Sequence, residues 1–325
     1  MNTPSKRSEL QSNLETDIAN EQQHKPFVSV IVPIYNDTER LKICLEALSN
    51  QTYPTNCYEI IVVDNASDKD QNVKSVIAKF EKARDAYCST PGSYAARNHG
   101  LALAKGEIIA FTDADCIPKT NWIEQGVKNI LNIPNCGLLA GKVELFFKDA
   151  DKLTPVELYE SITAFSQQQM LDKYKGAATA NVFTFKNVIE KVGNFDANLK
   201  SGGDLEWGQR VFDEGYKQFY AEDVQVAHPA RHSWNQIYQK TIRTIAGAYT
   251  KQCRTVSIFE KRKITLVYLI QNLSPPLVFF VNVFRDSRLQ GIKPKMQVSF
   301  IMLFIKYARA WEIIRLQLGA EPSRV

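Results

Sequence analysis

The sequence predicts an α/β protein, built on a mixed, mainly parallel sheet flanked by helices, with a helical extension at the C-terminal end. Three observations carry that prediction. Short apolar runs rich in β-branched residues recur at Val28–Ile34, Tyr58–Val63 and Glu107–Phe111. Between them lie stretches with helical spacing, such as Leu41, Cys44, Leu45 and Leu48, and strands alternating with helices need crossovers that pair them in parallel. Finally, the polar residues of this half gather where the runs end, at Tyr35-Asn36, Asp64-Asn65 and Asp113/Asp115. Ligands of open α/β sheets bind outside the carboxyl ends of the strands.

Taken in order, Val28–Ile34 (VSVIVPI) is a buried strand, and Asp37 or Thr38 caps the helix after it. Tyr58–Val63 is a second strand, followed by a helix from Lys69 to Lys82 and a short strand near Ala86–Cys88 that Pro91-Gly92 breaks. Ser93 opens a helix through Leu103, stopped at Lys105-Gly106, and Glu107–Phe111 is the fourth strand. Beyond it, Gly137–Phe147 reads as a strand pair, Thr154–Lys173 as helical, Asn181–Phe185 as a strand and Asn187–Val192 as a short helix. A glycine-bearing loop leads to Asp204-Leu205-Glu206-Trp207. A helix then runs from Gly208 to Asp213, and Lys217–Tyr220 and Val224–Ala227 are two short strands ahead of His228-Pro229.

The totals narrow the class. A chain of 325 residues with 44% hydrophobic and 23% charged residues is globular rather than disordered. A net charge of +5 is too mild to argue for nucleic acid. The excess is local: eight Lys and Arg from Arg231 to Lys263 face one acid, Glu260, so that stretch suits phosphates or an anionic membrane. Six scattered cysteines without a C-x-x-C pair fit thiols in a reducing compartment, not a disulfide frame or a zinc site. Residues 1–25 lack an apolar run and are expected to be a disordered tail. The expected division is 26–230 as one domain, in two halves (26–116 and 117–230), and 231–325 as a basic, amphipathic helical region.

Asp113 and Asp115 carry the chemistry of the first half. Two adjacent carboxylates cannot stay ionised in a buried strand without compensation, so they belong just past its end. On an extended backbone they point the same way, which lets one take a cation while the other takes a hydroxyl or the cation's water. No G-x-x-x-x-G-K-[ST] loop is present to cradle phosphates, and no G-x-G-x-x-G follows the first strand, which disfavours a dinucleotide oxidoreductase.

VSVIVPIYN, IIVVDNAS, GSYAARNHGLALAKGEIIAFTDADC and GNFDANLKSGGDLEWGQRVFDEGY together resemble a family 2 glycosyltransferase of the GT-A (Rossmann-like) fold, over roughly Phe27 to His228. The resemblance implies transfer of a sugar from a nucleoside diphosphate donor to an acceptor hydroxyl with inversion, supported by Mn2+ or Mg2+. It implies Asp115 as metal ligand, Asp113 at the ribose or the metal's water shell, and Pro33, Tyr35 and Asp64 at the base-binding edge. Arg97 matches a basic side chain for the diphosphate or base. Asn65 stands where relatives often carry a second aspartate. Its amide oxygen can still accept the N3–H of uracil, and a UDP-sugar is the favoured donor, ahead of dTDP- and GDP-sugars. Asp204 matches the catalytic base that inversion needs, although Gly203 replaces the acid that usually precedes it. Glu206, Trp207 and Asn181 are expected on the acceptor side, and His228 as a further metal ligand. The competing reading is a non-catalytic nucleotide-sugar-binding scaffold of the same fold.

Ile264–Phe284 is long and apolar but interrupted by Gln271, Asn272, Ser274, Pro275 and Pro276, and Met296–Leu318 alternates apolar residues with charges. A membrane-surface anchor, a cap or dimer contact, and a span all remain open, and the interruptions favour the first. The expected setting is cytoplasmic, peripheral on the inner face of the membrane. The expected partners are a nucleotide sugar and a glycan or lipid-linked sugar acceptor of cell-envelope or exopolysaccharide synthesis, with no nucleic acid.

Overall fold

The structure is a computed structural model that describes residues 25–253 and 256–320. The tail expected at 1–25 lies outside the described residues except for Lys25, as does Arg254 of the basic stretch.

Eight strands form one sheet in the order β3-β2-β1-β4-β7-β6-β8-β5. β1 (Val28–Ile34), β2 (Tyr58–Asp64), β3 (Ala83–Tyr87) and β4 (Ile108–Thr112) are parallel. The apolar runs place β1 and β4 in the centre, with β3 at the edge: six of the seven residues of β1 are buried, as are all five of β4. Both faces are covered. α1 (Thr38–Ser49) buries Leu41, Cys44, Leu45 and Leu48, the residues whose spacing predicted it. α3 (Ser93–Leu103) packs on the other side with Ala95, Ala96 and Leu101. Each fully buried aliphatic side chain contributes about 1.5–3 kcal/mol, and two core clusters, one per face, hold the sheet.

The helix expected from Lys69 to Lys82 is shorter. A 3-10 turn at Lys69–Gln71 ends at Asn72, whose φ of 47° breaks the helical path, and only α2 (Val73–Ile77) follows.

After β4 the pairing turns mixed. β5 (Ile117–Pro118) leads to α4 (Trp122–Asn132), which the sequence reading left unassigned. Gly126 lets α4 close onto the sheet, because a Cβ there would stand 2.3 Å from the Phe183 ring. β6 (Cys136–Phe146) is a single strand, bulged at Gly141, where a pair was expected. The helical stretch beyond it is divided at Phe165, φ 49°, into α5 (Pro155–Thr163) and α6 (Gln167–Tyr174). β7 (Asn181–Phe185) runs antiparallel between β4 and β6, and α7 (Lys186–Val192) follows. α8 (Gly203–Asp213) starts five residues before the expected helix, so Asp204 and Glu206 sit in its first turn. β8 (Lys217–Pro229) is continuous rather than two short strands.

Four helices complete the chain: α9 (Trp234–Cys253), α10 (Ile258–Leu273), α11 (Leu277–Arg285) and α12 (Ile292–Gln317). Val298, Ile301 and Ile305 of α12 share a small core with Val156 and Tyr159 of α5 and Ile237 of α9.

Candidate active site

The parallel strands deliver their polar ends to one edge. β1 and β2 are tied together there: Asn65 N–H donates to the Ile34 carbonyl at 2.8 Å, and Asn36 N–H to Ser67 Oγ at 3.0 Å. Asp64 accepts from Ser67 N–H at 2.9 Å. Tyr35 stands out from this edge with 56% of its surface exposed, leaving an aromatic face open beside Pro33.

Asp113 and Asp115 follow β4 as predicted, and each is held by a cation. Asp113 forms an ion pair with Arg97 of α3. Arg97 is 4% exposed, lies over the Tyr94 ring with 5.8 Å to its centroid, and leaves its Nε atom without a partner among the described residues. Arg97, expected at the diphosphate or the base, is thus buried and paired with Asp113.

The second carboxylate meets a histidine from the far end of the chain. Antiparallel pairing of β5 with β8 sets Ile117 opposite Ala227, and this register brings His228 Nε2 to 3.5 Å from Asp115 Oδ2. The other ring nitrogen, Nδ1, lies 2.8 Å from the Pro229 carbonyl. A carbonyl can only accept, so Nδ1 carries the proton, and in the neutral ring Nε2 presents its lone pair toward the carboxylate. Two acceptors facing each other in a pocket that is 5% exposed at the histidine are the donor set a divalent cation fits. Cys116 Sγ belongs to the same group of atoms, all within 4.8 Å of one another. Burial first, then Asp113 and Asp115, push its thiol well above the usual range, so it stays protonated. Arg40 of α1, which the sequence reading did not single out, lies 3.5 Å from Asp115.

Asp204 is half-buried in the first turn of α8. The chain reaches it through Gly202, whose φ of 76° favours glycine. Its Oδ1 accepts from the Tyr94 hydroxyl at 3.1 Å and from Leu205 N–H at 3.0 Å. Burial raises the Asp204 pKa, with Arg97 and these hydrogen bonds opposing. Burial and the neighbouring Asp204 charge push Tyr94 up as well, which keeps it a donor. Tyr94 and Arg97, one turn of α3 apart, thus stand between the two acidic groups: Tyr94 touches Asp204 and Arg97 touches Asp113.

Packing engages four of the residues expected at ligand contacts. Trp207 is 1% exposed, with Nε1 donating to the Gly193 carbonyl and its ring packed on Phe195, so no face is left for a sugar. Asn181 is fully buried, accepting from Trp122 Nε1 and donating to the carbonyls of Lys142 and Val224; it ties β7 to β6 and β8. Glu206 is engaged with Arg210 at 2.8 Å, in a network that reaches the Val192 carbonyl. Asn65 is spent on structure too: its oxygen accepts from Gly92 N–H, and its amide donates to the carbonyls of Cys88 and Thr90. These residues read as ligand contacts because buried polar groups and binding groups share the same residue types, and only packing separates them.

Arg243 of α9 is a further residue the sequence did not mark as part of the site. Gly247, one turn on, packs against the loop before α8, where a Cβ would lie 3.2 Å from Ser201. Burial and Arg231 lower the Arg243 pKa, while Tyr94 and Asp113 raise it, so its guanidinium lies in the field of the cleft. Arg231 and Lys240 are committed to Glu160, which is completely buried: Lys240 Nζ lies at 2.8 Å and Arg231 Nη1 at 3.1 Å.

A parallel sheet whose strand ends carry paired aspartates, joined through Tyr94 and Arg97 of one helix to a third acid at the start of α8, has a GT-A architecture. Residues 29–193 match Glycosyl transferase family 2. The chain is 39% identical over 227 residues to the glycosyltransferase AglE of Haloferax volcanii, covering 68% of this chain and 73% of that one. It is 22% identical over 227 residues to a dolichyl N-acetyl-α-D-glucosaminyl phosphate 3-β-D-2,3-diacetamido-2,3-dideoxy-β-D-glucuronosyltransferase of Methanococcus voltae, covering 66% and 71%. Among solved structures it shares its fold with the mannosyltransferase PcManGT of Pyrobaculum calidifontis, in complex with GDP-Man and Mn2+. The TM-score is 0.54 and the identity 18%, over 92% of this chain and 78% of that one. The chain belongs to glycosyltransferase family 2 and is an enzyme of the GT-A fold, not a scaffold.

Proposed function

We propose that this glycosyltransferase moves a sugar from a nucleoside diphosphate to an acceptor hydroxyl with inversion, and that Asp204 is the general base. The observation that supports this most is the shared wall: Tyr94 and Arg97 of one helix contact Asp204 and Asp113 respectively, so base and donor side face one cleft. In the step itself the acceptor O–H gives its proton to the Asp204 carboxylate. The oxygen attacks the anomeric carbon from the face opposite the leaving group. The bond from that carbon to the diphosphate oxygen breaks, and the nucleoside diphosphate departs with the electron pair. A raised Asp204 pKa makes the carboxylate a stronger base than an exposed one.

Asp115 and His228 Nε2 would hold a divalent cation, Mn2+ or Mg2+, which when bound offsets charge on the leaving diphosphate. The chain's own residues prepare for it: the Pro229 carbonyl fixes the His228 tautomer, and Arg97 orients Asp113 toward the ribose or the cation's water.

A UDP-sugar is the favoured donor, on the open Tyr35 ring with Pro33 and Asp64 at the base edge. Asn65 no longer supports that choice, since its oxygen is engaged by Gly92. The acceptor is a glycan or lipid-linked sugar of envelope or exopolysaccharide synthesis, met at the inner face of a membrane; the Methanococcus voltae relative is itself named for a dolichyl-linked sugar phosphate. Release of nucleoside diphosphate from UDP-, dTDP- and GDP-sugars with Mn2+ tests the reading. UDP release that needs both metal and Asp204 supports it. Turnover unchanged in Asp204→Asn removes Asp204 as the base.

A further inference from the structure

Helices α10 and α11 invert the usual distribution of side chains. The stretch from Ile258 to Arg285 is long and apolar enough to cross a membrane, yet only 6% of its most apolar window is buried. Phe259 and Val278 are 74% and 76% exposed, and Leu266, Ile270, Leu277 and Phe284 are also exposed. The only buried residue of α10 is the polar Asn272, turned to the protein with its amide on the Tyr268 carbonyl. Monomers rarely expose a contiguous apolar face beyond a few hundred Å². The extended, largely apolar outer surface here, with charges among the apolar side chains, calls for a covering partner.

Length and sequence define how that partner is met. Ser274-Pro275-Pro276 divides the stretch into helices of 16 and 9 residues. At 1.5 Å per residue they extend roughly 24 and 14 Å, each short of a hydrocarbon core of about 30 Å. Both pack along α12, which adds Phe300, Tyr307 and Trp311 as exposed aromatics.

Charge selects the partner. Residues 258–320 hold ten Lys and Arg against three acids. Asp286 pairs with Arg288, Glu312 with Arg315, and Glu260 caps α10 through Ser257. Arg262, Lys263, Arg285 and Lys293 form no ion pair with an acid among the described residues. A second copy docked on this face would bring two cationic surfaces together, whereas an anionic bilayer satisfies the apolar and cationic groups at once.

We propose that α10 and α11 lie in the plane of an anionic phospholipid membrane, with the apolar face inserted to the acyl boundary and Arg262, Lys263, Arg285 and Lys293 at the headgroups. This goes beyond the catalytic reading and needs no donor or acceptor. α9, which packs on α10, also packs on the loop ahead of Asp204 through Gly247, and so links the membrane-bound helices to that loop.

Flotation of the full-length protein with vesicles tests it, using phosphatidylcholine alone and phosphatidylcholine mixed with phosphatidylglycerol. The wild type is expected to float with the anionic vesicles, about tenfold more tightly than with neutral ones. Phe259→Glu combined with Val278→Glu should abolish flotation. Arg262→Glu combined with Lys263→Glu should remove the anionic preference while leaving weak binding. Both pairs are exposed, and an unchanged melting curve confirms that each variant is folded. A wild type that stays with the free protein on both vesicles, or forms a dimer that the Glu pair dissociates, overturns the proposal. So does a Glu pair that floats as well as wild type. UDP release measured without vesicles reports on the catalytic reading separately, so either can fail alone.

Discussion

β1 and α10 are written in the same alphabet, with Val, Ile and Leu dominating both, and they treat it in opposite ways. Six of seven residues of β1 are buried, while in α10 Phe259, Leu266, Val267 and Ile270 lie outward, Ile264, Tyr268 and Leu269 are only partly buried, and the one buried residue is an asparagine. The difference lies in what each can pair with. β1 has a strand on either side and helices over both faces, so every apolar group finds a protein neighbour. α10 and α11 meet protein on one side, at α12, α9 and α5. Apolar composition therefore reports that a surface will be covered, and the surrounding elements decide by what. The residues proposed for catalysis lie on both sides of this divide: Asp113 and Asp115 follow a strand of the sheet, and the loop ahead of Asp204 packs on α9.

The largest expected effect sharpens the sheet side of this contrast. Asp204→Asn should lower turnover by roughly 10²–10⁴-fold, the usual yield of general-base catalysis, with UDP binding unchanged in titration calorimetry. The same group predicts a pH dependence. Burial raises the Asp204 pKa above its unfolded value, so its contribution to stability is fully present below the ordinary aspartate pKa and is lost as pH rises through the raised one. Asp204→Asn should accordingly melt higher than wild type at neutral pH, and the gap should close on acidification. The activity of the wild type should rise through a pKa above the ordinary carboxylate range. A melting difference that widens toward acid pH would contradict this picture.

Next in size is the seam between the regions. Burial pushes Glu160 up, but Lys240 and Arg231 overcome it and hold the carboxyl below its usual pKa. Glu160→Gln leaves two cations facing a neutral group inside the protein, at an expected cost of about 3–5 kcal/mol, read as a lower denaturant midpoint. The stability Glu160 confers is present above the ordinary glutamate pKa and is lost as pH falls through the depressed one. A midpoint equal to wild type at neutral pH would mean that the helices are not fastened to the sheet domain there. A smaller effect, about tenfold, is expected in Mn2+ affinity for His228→Ala, measured by the paramagnetic signal of free Mn2+.

The sheet half was legible in the sequence because its signals are local. VSVIVPI, YEIIVV and EIIAF each report a buried strand without help from the rest of the chain, and Ser93 with Lys105-Gly106 brackets α3 correctly. The aspartates after β4 could be located by the same means. What eluded the sequence depends on long-range pairing. Arg40 enters the site because α1 crosses next to Asp115, and Tyr94 because α8 leans on α3. Arg243 enters because Gly247 lets α9 close on Ser201. Trp207 and Asn181 failed in the opposite direction: their residue types suggest binding, but the network around Gly193 and the β6–β8 carbonyls takes them up.

The smallest expected effect bears most directly on the comparison. Val30 of β1 is fully buried and Val278 of α11 is 76% exposed. Val30→Ser removes two methyl groups from a packed core and places a hydroxyl there without a designed partner, a combination that costs on the order of 2–4 kcal/mol. Val278→Ser takes the same residue to the same residue at a place already in water, and in solution its effect should stay within about 0.5 kcal/mol. Paired denaturation curves measure both. If Val278→Ser destabilises the isolated protein as much as Val30→Ser does, α11 is packed against protein in solution and its outer face is not free. If the two differ as expected, the exposed face of α11, unlike Val283 and Phe279 on its inner face, contributes little to folding, and its apolar character has to be explained by what the folded enzyme docks against.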